Sequence, residues 1–236
     1  VRRALAVTAP ANGSGKTTLL VTLLRAFPAA FTAVKFTTVY RDGRNCPRTE
    51  DACACRELHG RYTVVDDPAI VAAPGTDTGR MAASGAVRTI WCLARPGSHR
   101  ELWDHLASGI VRPDEALLTE GNQIVAVLDP SALVLVASAS TPRARWKEDA
   151  WDLAARADLV VVNAPAGDAR PEAGPAARLA GEIAARTRAQ VVVEDVAAPL
   201  AAWSDTTLAR LARGVLAGAG GREEGAWPEP CRHSRS

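Results

Sequence analysis

The chain has no surplus of charge. Its 28 Lys and Arg residues against 26 Asp and Glu leave a net charge of +2, so no whole-chain field draws it to nucleic acid or to an anionic membrane surface. Apolar runs are short. None approaches the roughly 20 residues a membrane helix needs, and Val1-Arg2-Arg3 leads straight into a strand-like segment, so the expected location is the cytoplasm. Cysteine is sparse and unevenly spread: of five, three crowd into Cys46 to Cys55, which in this context reads as thiols or metal ligands rather than structural disulfides. Lysine is the scarcest charged residue. Lys16, Lys35 and Lys147 are the only lysines among 28 basic residues, and a chain that otherwise writes arginine keeps lysine where a compact ammonium is needed, or by chance.

With 236 residues, 47% of them hydrophobic, one sizeable core is expected. Short apolar runs alternate with helical stretches: strands at Arg3 to Thr8, Phe31 to Thr37, Val87 to Ala94, Glu115 to Thr119, Leu133 to Ala137, Leu159 to Asn163 and Val191 to Glu194. Helices are expected at Thr17 to Ala26, Thr76 to Ser84, Ser98 to Ala107, Asn122 to Leu128, Lys147 to Ala155 and Ala176 to Arg186, with Asp205 capping a last one to about Leu216. Runs such as Val160-Val161-Val162 are apolar on both strand faces, so the expected class is α/β, a mostly parallel sheet covered by helices on both faces. One nucleotide-binding domain over 1–218 is expected, with an irregular cysteine-bearing insertion at about 40–74 and a disordered tail over 219–236.

The stretch Thr8 to Leu20, "TAPANGSGKTTLL", carries the strongest motif. Gly15-Lys16-Thr17 ends a phosphate-loop pattern that begins with Pro10 in place of the first glycine, between an apolar strand and a helix. Backbone N–H groups of Asn12, Gly13, Ser14, Gly15, Lys16 and Thr17 would surround a β-phosphate, with Thr18 continuing the helix start. Lys16 would reach the β- and γ-phosphates and Thr17 would bind Mg²⁺. An acid at a strand end completes such a site, and Glu120 in "EALLTEGN" is placed ahead of Asp129, which reads as a helix-end or turn residue. Lys35, inside an apolar strand, is expected to point toward bound phosphate, because lysine is seldom buried without a partner.

"NGSGKTTLLVTLL", "VKFTT", "GTDTGRMAASGAVRTIW" and "LLTEGN" together resemble the MobB family of GTP-binding P-loop proteins associated with molybdopterin guanine dinucleotide biosynthesis, over residues 3–122. The resemblance implies a P-loop NTPase fold, Lys16 and Thr17 on phosphate and Mg²⁺, Lys35 and Thr37 near the γ-phosphate, Asp77 and Arg80 toward a second substrate, and Glu120 at the Walker B position. Asn163 is similar to the strand-end Asn that opens the guanine-reading motif of GTPases. Phe36 stands where the family often has His, and Ala164-Pro165 follows Asn163 where Lys is expected, so GTP and ATP both stay open.

Cys46, Cys53, Cys55 and His59 are spaced C-x6-C-x-C-x3-H, donors that suit Zn²⁺ or an iron–sulfur cluster; plain loop thiols and redox thiols are the alternatives. His99 and His105 read as solvated helix residues and Cys92 as core. Arg143 to Lys147, "RARWK", reads as a solvated face or as an arm over the nucleotide. The functional expectation is an Mg²⁺-dependent nucleoside triphosphatase aiding cofactor or metal-centre maturation. A small-molecule kinase and a nucleotide-gated metal-binding adapter are the alternatives. Expected partners are the nucleotide, a client protein or cofactor-synthesis enzyme, and a second copy of the chain, with no nucleic acid and no membrane.

Overall fold

A computed structural model describes residues 2–40, 57–165 and 174–218. Cys46, Cys53 and Cys55, and the tail over 219–236, lie outside the described residues.

Among the described residues, eight strands form one sheet: β1 (Arg2–Thr8), β2 (Thr32–Thr38), β3 (Tyr62–Val65), β4 (Thr89–Ala94), β5 (Leu117–Glu120), β6 (Pro130–Ser138), β7 (Leu159–Asn163) and β8 (Gln190–Glu194). Their order is β3-β4-β2-β5-β1-β6-β7-β8, and every pairing is parallel except β3 with β4. The main helices are α1 (Lys16–Ala26), α2 (Pro68–Val71), α3 (Asp77–Ala82), α4 (His99–His105), α5 (Val125–Leu128), α6 (Ala150–Arg156), α7 (Pro175–Ala184) and α8 (Thr207–Ala217). Among the described residues no helix is long and apolar enough to cross a membrane.

The period-2 alternation of strand side chains divides the core into two layers. Leu5, Val7, Val134, Val136, Leu159 and Val161 pack with Leu19, Leu23, Met81 and Leu208, which places α1, α3 and α8 on one face. Their neighbours Ala6, Leu133, Leu135, Val160 and Val162 face the other way, against α6 and α7. Val34, Ile90 and Cys92 meet Leu102, Trp103 and Leu128 from α4 and α5 on that same second face. A chain of near-continuous Val, Leu and Ala runs therefore covers a parallel sheet on both sides, as the sequence pattern predicts.

Two expectations are corrected. The segment over 40–74 is not irregular throughout: Tyr62–Val65 forms an antiparallel edge strand on β4, and Asp67 caps α2 by accepting a bond from Ala69 N at 2.9 Å. Four residues rich in β-branched side chains suffice for an edge strand, too few to show a period. His99 is not solvated. It is buried at 7% exposure, its Nε2 lies 3.0 Å from Thr38 Oγ1, and burial lowers its pKa. Cys92 is core, with no exposed surface. The last helix begins at Thr207, whose N–H donates to the Asp205 carboxylate at 2.7 Å, so Asp205 closes the helix from one position before the cap residue Thr206.

Candidate nucleotide site

Because β1, β2, β5, β6 and β7 run parallel, their carboxyl ends share one edge, and all the strong candidates lie there. The loop after β1 turns through Gly13 (φ +77°) and Gly15 (φ +103°) before α1 starts at Lys16. Both glycines hold left-handed backbone that other residues adopt at a cost. Gly15 is also crowded: a Cβ there would stand 3.0 Å from Val196 Cγ2 and 3.1 Å from Asn163 Nδ2.

The loop is braced from three directions. Asn122, after β5, accepts from Ala9 N at 3.2 Å and donates to Ala9 O at 2.8 Å. Ser14 is buried and turns its hydroxyl inward to Ala11 O at 3.1 Å, so it offers a ligand its backbone N–H alone. Asn163, at the end of β7, accepts from Val196 N at 3.3 Å while its amide nitrogen lies against Gly15. Asn163 therefore braces the loop from beneath. Asn122 escaped the sequence reading, because nothing in "EGN" announces a side chain that pairs with both backbone groups of one residue.

Strand alternation puts Lys35 and Glu120 on the α1/α3 face, and the sheet register pairs them directly, with Val7 of β1 opposite Glu120 on its other side. Lys35 Nζ donates to Glu120 Oε1 at 3.0 Å and to Asp77 Oδ2, at the start of α3, at 2.6 Å. Thr17 donates its hydroxyl to Glu120 Oε2 at 2.8 Å. Glu120 is 5% exposed and Lys35 9%. Desolvating such charges costs several kcal/mol each unless they are paired, and here every ion in the cluster has a partner. Gly121 follows with φ +150°, where a Cβ would come within 2.9 Å of Phe36 Cβ; the glycine lets the Glu120 strand end pass close beneath β2.

Lys16 differs from Lys35 in having little to bond. Among the described residues its Nζ reaches only Ala11 O, at 3.5 Å. Burial lowers its pKa to about 8; Glu120 and Asp77 raise it, and Lys147 and Lys35 lower it further. Lys147 is tied to the loop by its backbone N–H, which donates to Pro10 O at 2.8 Å. All three lysines of the chain thus converge on the phosphate loop. Asp129, by contrast, precedes β6 and stands at the amino edge of the sheet, away from the loop. The "RARWK" run is an aromatic stack: the Arg143 guanidinium carbon lies 3.8 Å from the Trp146 ring centre, and Trp146 packs on Trp151 with ring centres 5.2 Å apart.

The Lys16 shift has a pH consequence. In the unfolded chain the ammonium keeps its proton to about 10.5, whereas in the native loop it releases it near 8. Between those values the unfolded state binds more protons, so Lys16 makes stability of the ligand-free protein rise as pH rises from about 8 to 10.5. Bound polyphosphate favours the charged form. Triphosphate binding is therefore expected to take up a proton above about pH 8 and to weaken as pH rises further. Calorimetric titrations at pH 8.5 in buffers of different ionisation enthalpy check this; no buffer dependence in wild type beyond that of a Lys16→Ala control contradicts it.

The Thr17 hydroxyl and the Glu120 carboxylate are hard oxygen donors at the mouth of the loop, the donor set Mg²⁺ prefers. For a soft metal, the described residues hold no group of three or more His, Cys, Asp or Glu able to bind an ion. His59 is described, and its backbone N–H donates to Thr63 Oγ1 at 2.7 Å.

No protein-family model and no curated protein matches the chain. Among solved structures, it is similar to the crystal structure of hydrogenase maturation factor HypB from Archaeoglobus fulgidus, with 17% sequence identity, 91% of each chain covered and a TM-score of 0.50. A Zn(II)-bound triple mutant of the YjiA GTPase matches 82% of this chain and 58% of that one, at 15% identity and a TM-score of 0.42. Strand order, loop geometry and the likeness to HypB agree on one architecture: the chain has the α/β fold of the P-loop NTPases.

Proposed function

We propose that the chain binds a nucleoside triphosphate with Mg²⁺ at the loop from Asn12 to Thr18 and hydrolyses it. The observation that carries this reading is the convergence of Lys16, Lys35 and Lys147 on one glycine-turned loop beside the Thr17–Glu120 pair. Three ammonium groups faced by two carboxylates leave a local surplus of positive charge, which a polyphosphate neutralises.

Thr17 and Glu120 would hold the Mg²⁺, which when bound would neutralise phosphate charge and so ease attack on the γ-phosphate. Glu120 keeps Thr17 oriented and sets Lys35 beside the phosphates; Lys16 lies along them; the loop N–H groups receive the β-phosphate. Lys35 holds Asp77 at the start of α3, which couples that helix to the γ-phosphate position. Asn163 would act on the nucleotide through Gly15, with GTP and ATP both admitted.

The energy of this step serves, in our reading, maturation of a cofactor or metal centre through a client protein. The MobB-like motifs support it, as does the fold shared with a protein described as a hydrogenase maturation factor. Cys46, Cys53, Cys55 and His59 then supply soft donors for a Zn²⁺ or iron–sulfur cargo. The alternative of a small-molecule kinase is favoured by one observation, the Asp77 carboxylate held 2.6 Å from Lys35, where an acceptor hydroxyl could be received. Turnover measured with and without acceptors separates the two.

Replacement of Lys35 by arginine tests the site. The wider planar guanidinium cannot sit between Asp77 and Glu120 as the ammonium does, so Lys35→Arg should lower kcat by about tenfold or more and change nucleotide Kd less than about threefold. Wild-type kinetics in that variant would assign Lys35 a purely structural role.

A further inference from the structure

Beside the phosphate loop, between α1 and α3, lies a groove of about 290 Å³ that shares only Thr18 with the proposed nucleotide site. Thr18, Thr22 and Arg25 line one wall from successive turns of α1; Arg80, Ala83 and Ser84 of the α3 segment form the other. Its volume is at the small end of the range of roughly 300–1,000 Å³ for ligand pockets, which suits a metabolite rather than a second nucleotide.

The lining is mixed: Val21, Ala83 and Ala197 are apolar, and the polar groups among them are of two kinds. Thr22, buried, donates its hydroxyl to Val196 O at 2.8 Å, and Ser84, also buried, donates its own to Arg80 O at 2.7 Å. Both protons are spent, so the floor presents lone pairs and accepts hydrogen bonds. The rim is cationic. Arg80 donates to Thr18 Oγ1 at 3.3 Å and meets no carboxylate among the described residues, and Arg25 has neither a hydrogen bond nor an ion pair among them. Arg25 stands about 10 Å along the helix from Thr18, two turns from the end that Arg80 marks. Two guanidinium groups without carboxylates, one toward each end of a groove floored by acceptors, match a specific ligand shape.

We propose that this groove binds a small two-ended anion, with carboxylate or phosphate ends meeting Arg25 and Arg80 and a hydroxyl or amine between them donating to Thr22 and Ser84. Thr18 adjoins Thr17 on α1, so such a ligand lies next to the phosphate loop and is positioned to report to it. The inference does not depend on nucleotide hydrolysis.

Calorimetric titration of the nucleotide-free protein tests it, with L-malate as a hydroxyl-bearing dicarboxylate, 3-phosphoglycerate as a hydroxyl-bearing carboxylate with a phosphate end, and succinate as the dicarboxylate that lacks the donor. Malate or 3-phosphoglycerate should bind, and which of the two binds more tightly tells carboxylate from phosphate at the second end. Succinate should bind at least fivefold more weakly than malate. Arg25→Gln and Arg80→Gln should each weaken binding at least tenfold, and Ala83→Trp, which fills the groove without altering charge, should abolish it. Lys16→Ala should leave it unchanged. All these variants should keep the wild-type melting temperature within a few degrees, since the substituted side chains at 25, 80 and 83 are exposed. No binding by wild type, or binding lost in Lys16→Ala and kept in both arginine variants, overturns the groove site; the latter result would still support a nucleotide site in the loop. Equal affinity for succinate and malate overturns the assigned ligand class.

Discussion

Lys16→Ala is expected to weaken nucleoside triphosphate binding by about 30- to 700-fold, the equivalent of about 2–4 kcal/mol for a charge-assisted phosphate contact. The geometry makes this residue the most exposed to test. Its ammonium is desolvated, attracted by Glu120 but repelled by Lys147 and Lys35, and among the described residues bonds only one carbonyl, at 3.5 Å. In the ligand-free fold the attraction of Glu120 and Asp77 is outweighed by desolvation and the two lysines, so the variant should melt no lower than wild type even as it loses ligand. A structural lysine would behave in the opposite way, losing stability and keeping affinity. Titration calorimetry and a melting curve on the same sample distinguish the two patterns.

Glu120→Gln is expected to lower hydrolysis by about a hundredfold while leaving Mg²⁺-free nucleotide affinity within about threefold. The amide keeps the shape and one acceptor for Thr17, but it removes the charge that both Thr17 and Lys35 now meet at 2.8 and 3.0 Å. Single-turnover hydrolysis with saturating Mg²⁺ measures it. Equal turnover would hand the role to another acid, and the sheet directs the search: Asp77 shares the carboxyl edge with Glu120, whereas Asp129 lies at the amino edge before Pro130.

The phosphate loop was legible in the sequence because Gly15-Lys16-Thr17 between an apolar strand and a helix has few other uses. β7 was read to the residue, since Leu159 to Val162 is apolar on both faces and the run lies between Asp158 and Asn163. Lys35 was singled out by the scarcity of lysine, by its place inside an apolar strand and by the family resemblance. Its partners were not, for the Lys35–Asp77 contact spans 42 positions and exists only because α3 crosses the edge where β2 ends. β5 inserts between β1 and β2, and that insertion brings Glu120 under both Thr17 and Lys35. No local pattern encodes strand order. His99 was misread for a related reason: its partner Thr38 comes 61 positions earlier and meets it only in the folded chain. The short strand β3 was hidden by its length, and the groove between α1 and α3 by the fact that Arg25 and Arg80 belong to different helices.

The account stands on nucleotide occupancy of the loop, and a melting curve tests that most directly. Ligand that binds the native state alone stabilises it by about 2.7 kcal/mol at a hundred times its Kd, which for a domain of this size corresponds to roughly 5–10 °C. GTP or ATP with Mg²⁺ should raise the wild-type melting temperature by that amount and raise that of Lys16→Ala far less at the same concentration. A wild-type melting temperature unmoved by either triphosphate at millimolar concentration would contradict the assignment of Asn12 to Thr18 as a phosphate site.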